Sequence, residues 1–245
     1  DKSTDEWAAF EVYLKRVWFS NGIHHHYSNA KMKPNFSSEY LTSLLVATNT
    51  VLEGEAFEVI FNDKDAKKVN LTKDVDNVLL SAVNFYGPDV TTADVENFYK
   101  AKISPDPKRP LSYGLNSQLV KQDGKLLERV YKSGGLYGAA IDKIIGWLEK
   151  AKAVAENKAQ GEALGLLIEY YKTGDLQTWD DYNVAWTSAT DGNIDYINSF
   201  IEVYNDPVGY RGSYETVVQI KDFEMSQKMA VLSENAQWFE DNSPL

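Results

Sequence analysis

Cysteine is absent from all 245 residues. A disulfide framework and thiolate chemistry are therefore excluded, and the redox compartment stays open. Long hydrophobic runs are also missing. None approaches the roughly 18 residues of a membrane-spanning helix, so no membrane span is expected. There is no basic stripe either: 25 Lys and Arg stand against 36 Asp and Glu, for a formal charge of −11. A nucleic-acid surface needs clustered cations to meet phosphate, so nucleic acid is not an expected partner. The chain begins at Asp1 without methionine. We expect a processed piece or fragment, with any export signal lying outside this sequence.

What is present fits a soluble folded protein: 43% hydrophobic, 25% charged and 13% aromatic residues. That length suits one large domain or two small ones. The clearest break is Ser104 to Pro110, SPDPKRP, whose prolines cannot sit inside a helix, so an internal boundary is placed near 104–110.

Helical spacing dominates the pattern. Ser3-Thr4-Asp5-Glu6 reads as a capping box before Trp7, Phe10, Leu14, Val17 and Trp18, and Asn21-Gly22 stops that helix. A turn and helix follow over Pro34 to Thr50, with Tyr40, Leu44, Leu45 and Ala47 inward. Thr72 is read as the cap of a helix through Val75, Val78, Leu79, Ala82 and Val83, and Thr91 or Thr92 as the cap of one through Val95, Phe98 and Tyr99. The spacing predicts two helices over Leu136 to Tyr171, closed by Gly174, then a short helix opened by Asp175 and a last one over Phe223 to Phe239. Trp7, Phe10, Leu14, Val17, Ile144, Leu148, Leu167 and Ile168 are the expected core. Asp123-Gly124 can be a hairpin turn, although a helical reading of the following residues is nearly as good.

Three local patterns carry candidate chemistry and read as structural. Asn62 to Asn70 lacks the glycine and terminal glutamate of a calcium loop. Ser133 to Gly138, SGGLYG, lacks the lysine of a phosphate loop. In His24-His25-His26, on an extended segment, only His24 and His26 can share one ion, and no third ligand is nearby. No metal is assigned to them.

The most informative stretch is Gly192 to Val218. Ile194 to Tyr204 alternates, with Tyr196, Phe200 and Tyr204 on one face and Ile197, Ile201 and Val203 on the other. Asp206-Pro207 breaks the ladder, and Gly209 and Gly212 bracket Arg211 in a turn. Ser213 to Ile220 alternates again. These readings give an α+β class: predominantly helical with a small antiparallel sheet. Arg211 and Glu215 are expected to form a structural salt bridge, with a carboxylate-binding role for Arg211 as the sharper alternative.

Phe200 to Glu215, FIEVYNDPVGYRGSYE, resembles a stretch of the dipeptidyl peptidase III family of zinc exopeptidases. Asn21 to Ser28 and Ile145 to Leu176 resemble further segments of that family in order, and Trp186 stands at its spacing before Phe200. The family's HExxGH zinc motif and later Glu-rich helix are absent here. The resemblance therefore implies a fragment, 1–245, of a larger two-lobed protein, preceding the zinc site. It implies a sheet forming one side of a peptide-binding cleft, short peptides as partners, and zinc in the full-length protein, carried by a missing C-terminal part. The fragment alone is expected to be inactive and to hold no cofactor. The resemblance further implies that a Glu-x-Tyr pair grips the substrate ammonium and steadies the reacting carbonyl. Without a gap, Asp195 takes the Glu position and Ile197 the Tyr; one inserted residue restores the tyrosine at Tyr196. Asp195 is the expected amine anchor, Tyr196 a possible catalytic helper, and His24 and His26 are substrate-binding candidates where the family has threonines. A cytoplasmic location follows from the resemblance, with export open if a signal was removed. The competing reading is a non-catalytic helical scaffold that binds peptide or glycan.

Overall fold

A computed structural model describes residues 2–244. The class is α+β, and the chain divides into two compact units, residues 1–130 with 202–213 and residues 131–201 with 214–245.

In the first unit, α1 (Asp5–Phe19) starts at Thr4, whose side chain accepts the Trp7 N–H. Glu6 does not close the expected capping box. Its carboxylate instead takes the backbone and side-chain donors of Ser37, the residue that caps α2 (Ser38–Thr48). Tyr13, Phe36 and Leu41 are the buried residues of this cluster, and Phe10 and Val17 only flank it. The expected core face of α1 is thus half-buried, with Trp18 66% exposed. On α2 the buried residue is Leu41, while Ala47 is exposed. A short helix α3 (Ala56–Phe61) completes the cluster.

The helix expected after Thr72 does not form, and residues 73–80 are turns. The reason lies at Asp76. Its carboxylate accepts the N–H groups of Val78, Leu79 and Thr92 and the Thr92 hydroxyl, which satisfies the backbone locally and competes with a helical ladder. By contrast α4 (Thr92–Lys100) forms where expected, because Thr91 and Asp94 make a full capping box. Residues 104–110 are a connection within this unit.

Strands β1 (Ser117–Gln122) and β2 (Lys125–Val130) pair antiparallel. Asp123 and Gly124 both have positive φ, 51° and 74°, the type I′ geometry that suits the twist of a hairpin. Leu119 is fully buried with Val90 and Val95 beneath this hairpin.

In the second unit, α5 (Gly138–Ala153), α6 (Lys158–Thr173) and α7 (Leu176–Ser188) pack in sequence. Ile141, Ile145 and Leu148 are buried on α5 and Leu164, Leu167, Ile168 and Tyr171 on the adjoining α6, the helical spacing read from the sequence. Ile144 lies beside that face, half-buried. Gly174 closes α6 at φ 73°, and the Asp175 carboxylate caps α7 through the Thr178 N–H. Strands β3 (Ile194–Glu202) and β4 (Ser213–Ile220) form the other two-stranded sheet. Their open end is closed by the Lys221 N–H donating to the Asn193 carbonyl at 2.7 Å. Tyr204, expected on the strand face, lies beyond β3 and is 67% exposed. Where one last helix is expected over Phe223 to Phe239, two form, α8 (Phe223–Glu234) and α9 (Ala236–Asp241), separated at Asn235, and neither buries a residue.

Candidate functional site

Asp195 sits one residue inside β3, with its side chain exposed. One oxygen, Oδ1, accepts from the Trp186 indole N–H at 3.1 Å and from the Tyr196 N–H at 2.8 Å. Oδ2 takes no hydrogen bond among the described residues. The carboxylate is therefore held at one oxygen and open at the other, an arrangement suited to a cationic ligand. Trp186 comes from the last turns of α7, so the resemblance noted for its spacing has a physical counterpart here.

Tyr196, the next residue, is half-buried toward α7. Its hydroxyl is buried against Tyr182 of α7, and burial pushes its pKa up to about 12. Asp195 and Tyr196 thus both meet α7, through Trp186 and Tyr182, and the Asp195 charge adds to the upward push on the Tyr196 hydroxyl. Further along β3 Asn198 accepts from the Tyr171 hydroxyl at 2.7 Å and donates to Tyr214 and Thr216. This polar seam gives the neutral amide a full set of partners.

Beside the sheet lies a pocket of about 220 Å³, lined mainly by apolar groups of Leu148, Ala151, Leu164, Ile194, Ile197 and Val218. It opens within the second unit, between α5, α6 and the hairpin.

The turn after β3 holds a different charge. Arg211 is fully buried in the first unit. Its Nη1 donates to the carbonyls of Gly114 at 2.8 Å and Ser117 at 3.1 Å and to Ser117 Oγ at 2.6 Å, and its Nη2 donates to the Tyr99 hydroxyl. The guanidinium lies over the Tyr99 and Tyr86 rings, 4.9 and 5.2 Å from their centroids. Its acidic partner is Glu128 of β2 at 3.6 Å, not Glu215. Glu215 lies on β4, where it is half-buried. The expected i,i+4 pair fails because Asp206 draws the turn inward. That carboxylate accepts the N–H groups of Val208, Tyr210 and Arg211 and the Tyr86 hydroxyl. Gly114 is required beside it: a Cβ there would stand 3.0 Å from both Arg211 Nη1 and the Tyr99 ring, at φ +92°. A carboxylate-binding role for Arg211 toward a ligand is likewise excluded, since the group is enclosed.

Burial works against ionisation of Glu128. Hydrogen bonds from Lys102, Tyr99 and Ser117 outweigh it and hold the carboxyl below its ordinary value. Glu128, Tyr99 and Asp206 were not singled out as a group in the sequence. They lie up to 112 positions from one another or from Arg211, and no local spacing signals them.

The histidines do not share a strand face. His24 bridges to Lys31, and a tight turn follows, with the His25 N–H on the Ala30 carbonyl. His24 Nε2 contacts the Asp65 carbonyl at 2.7 Å, and His25 Nδ1 accepts the N–H groups of Tyr27 and Ser28. His26 is exposed, with its ring 5.0 Å from that of Tyr27. Among the described residues no group of three or more His, Cys, Asp or Glu is placed to hold a metal ion. Among the same residues no helix is long and apolar enough to cross a membrane.

Comparison with known proteins adds the last observation. The sequence model of peptidase family M49 matches residues 110–244. Dipeptidyl peptidase 3 of Dictyostelium discoideum is 24% identical over 265 aligned positions, which cover 99% of this chain and 37% of that protein. The human dipeptidyl peptidase 3 is 33% identical over 103 positions, covering 42% of this chain and 14% of that protein. The structure of DPP III from Caldithrix abyssi superposes with a TM-score of 0.53 at 20% identity, covering 97% of this chain and 42% of that one, so the fold is shared. The chain thus spans little more than a third of the length of the Dictyostelium protein.

Proposed function

The chain belongs to peptidase family M49, and from that membership we propose that it forms the substrate-binding portion of a zinc-dependent dipeptidyl peptidase that releases dipeptides from peptide N-termini. The zinc-bearing part would lie in the remainder of the parent protein. Among the described residues no group of three or more His, Cys, Asp or Glu is placed to hold a zinc ion, and alone this chain is expected to hydrolyse nothing. The observation that carries the reading is the exposed Asp195 carboxylate within the matched region, fixed at Oδ1 and open at Oδ2. A free ammonium seated there would count residues from the peptide's N-terminus, which is what sets an exopeptidase apart. An extended peptide laid beside a two-stranded sheet with open edges would have its backbone satisfied by strand addition, leaving side-chain taste broad. His24 and His26 are proposed peptide contacts of lesser weight, with His26 the more accessible.

Calorimetric titration of this chain with a short free-amine peptide and with its N-acetylated form tests the anchor. Tighter binding of the free amine is expected, and Asp195→Asn should erase the difference. If the preference survives in the variant, Asp195 leaves the site and Glu202, the other exposed acid of β3, becomes the candidate. Metal analysis after zinc loading and washing should find no stoichiometric ion; one tightly held zinc per chain would overturn the assignment of zinc to another part.

A further inference from the structure

The segment that enters β3 is held by side chains from the α5–α6 connection. The Glu156 carboxylate accepts the Asn193 N–H at 3.1 and 2.9 Å, through Oε1 and Oε2, and the Ile194 N–H at 3.0 Å through Oε2. Gln160 donates to the Ile194 carbonyl at 3.0 Å and accepts the Glu156 N–H at 2.8 Å. Asn157, the cap of α6, reaches the Asp191 carbonyl. All but the Glu156 N–H to Gln160 bond fall on backbone just before Asp195. They lock position without reading the identity of the side chains they hold.

We propose that Glu156 is the positioning residue for Asp195, acting as a latch that fixes the register of β3. The physical need is specific. A two-stranded sheet with open edges has a weakly specified register, and a slip by one residue exchanges its faces. Here such a slip would carry Asp195 away from the Trp186 indole and Tyr196 away from Tyr182. Bonding two successive N–H groups to one carboxylate forbids it, and hydrogen bonds to both hold the Glu156 carboxyl below its ordinary value. Gly192 is the second part of the device: a Cβ there would stand 2.9 Å from Glu156 Oε2. The carboxylate end is flexible and can move away cheaply, so an alanine at 192 should spare the fold and release the latch. The proposal rests on the reading of Asp195 as the amine anchor for its functional meaning, while the latch itself can be read without any ligand.

The reporter is the Trp186 indole N–H, which donates to Asp195 and gives one of six indole signals in a nitrogen–proton NMR spectrum. Asp195→Ala marks the position of that signal when the contact is lost. Glu156→Ala and Gly192→Ala should each move it toward that position and raise amide exchange at Ile194 by about tenfold, the effect of losing one such hydrogen bond. Glu156→Gln keeps an acceptor oxygen and should fall between parent and alanine. Parent values for both signals in Glu156→Ala and Gly192→Ala would overturn the latch. Should Glu156→Ala fail to fold, Gly192→Ala and Glu156→Gln decide the question by the same two signals. In peptide titration, the latch variants should lose the free-amine preference as Asp195→Asn does. If Asp195→Asn keeps that preference while the indole signal still follows Glu156, the anchor reading fails and the latch stands.

Discussion

Asp206 and Asp195 are two aspartates of one motif-rich stretch, and their surroundings assign them opposite tasks. Asp206 is 5% exposed, and both of its oxygens are taken, by three backbone N–H groups and the Tyr86 hydroxyl. Asp195 is exposed and engaged at Oδ1 alone. A carboxylate whose acceptors are filled holds a turn; one with an oxygen to spare can meet a ligand. The same contrast separates Arg211, enclosed with its Nη1 and Nη2 groups on fixed acceptors, from the surface lysines that pair across one helical turn, such as Lys228 with Glu224. Burial sets the weight of a charged contact, because a buried charge without partners is strongly destabilising and an exposed one is screened by water.

The largest effect should come from breaking the enclosed side. Arg211→Met should lower unfolding free energy by about 3–5 kcal/mol, since it strips partners from Ser117, Gly114 and Tyr99 in a buried site. Arg211→Lys should recover little, because an ammonium cannot reproduce the planar fork. Urea denaturation reads both, and a Lys variant as stable as the parent would show that charge alone matters there. Next comes Leu167→Ala in the fully buried face of α6, at about 2–5 kcal/mol, against about 1–2 kcal/mol for Phe10→Ala on the half-buried face of α1. Equal losses would mean that the two faces are packed alike.

The pH dependence sharpens the comparison further. Glu128 has its folded pKa depressed, so its contribution to stability is fully present above its ordinary value of 4.5 and is lost as pH falls below that toward the folded value. Urea midpoints measured downward from about pH 5 should fall more steeply in the parent than in Glu128→Gln. Parallel profiles would remove Glu128 from the acid response. The smallest effect is expected on α8, where Met225→Ser and Met229→Ser should change stability by no more than about 0.5 kcal/mol, because both side chains are about half exposed on a helix that buries no residue. A larger loss would reveal that this apolar face is covered in solution.

Local signals decided much of the fold. The capping box at Thr91 and Asp94, the Asp123-Gly124 turn, the Gly174 stop and the Asp175 cap each place an orphan backbone group or a positive φ within a few residues, so the chain itself carries the instruction. Periodicity placed α5 to α7 with their inward faces, because the 3.6-residue repeat is a property of the helix and not of its surroundings. The α+β class and the family resemblance followed from those elements and from the stretch around Arg211.

Contacts between distant residues could not be read this way. Asp76 suppressed the helix expected after Thr72 by bonding to Thr92, and Glu6 left its own cap for Ser37, each a choice made by a group that local spacing does not bring near. Arg211 preferred Glu128 to Glu215 because Asp206 folds its turn inward onto Tyr86, a decision available only once the β1–β2 hairpin is in place. The depth of burial was equally invisible: Trp7 and Phe10 have the spacing of a core face, but how much of a face is covered depends on what packs there. Sequence fixes which backbone groups and which faces need partners; tertiary structure selects the partners, because at each site several acceptors compete and only proximity and desolvation choose among them.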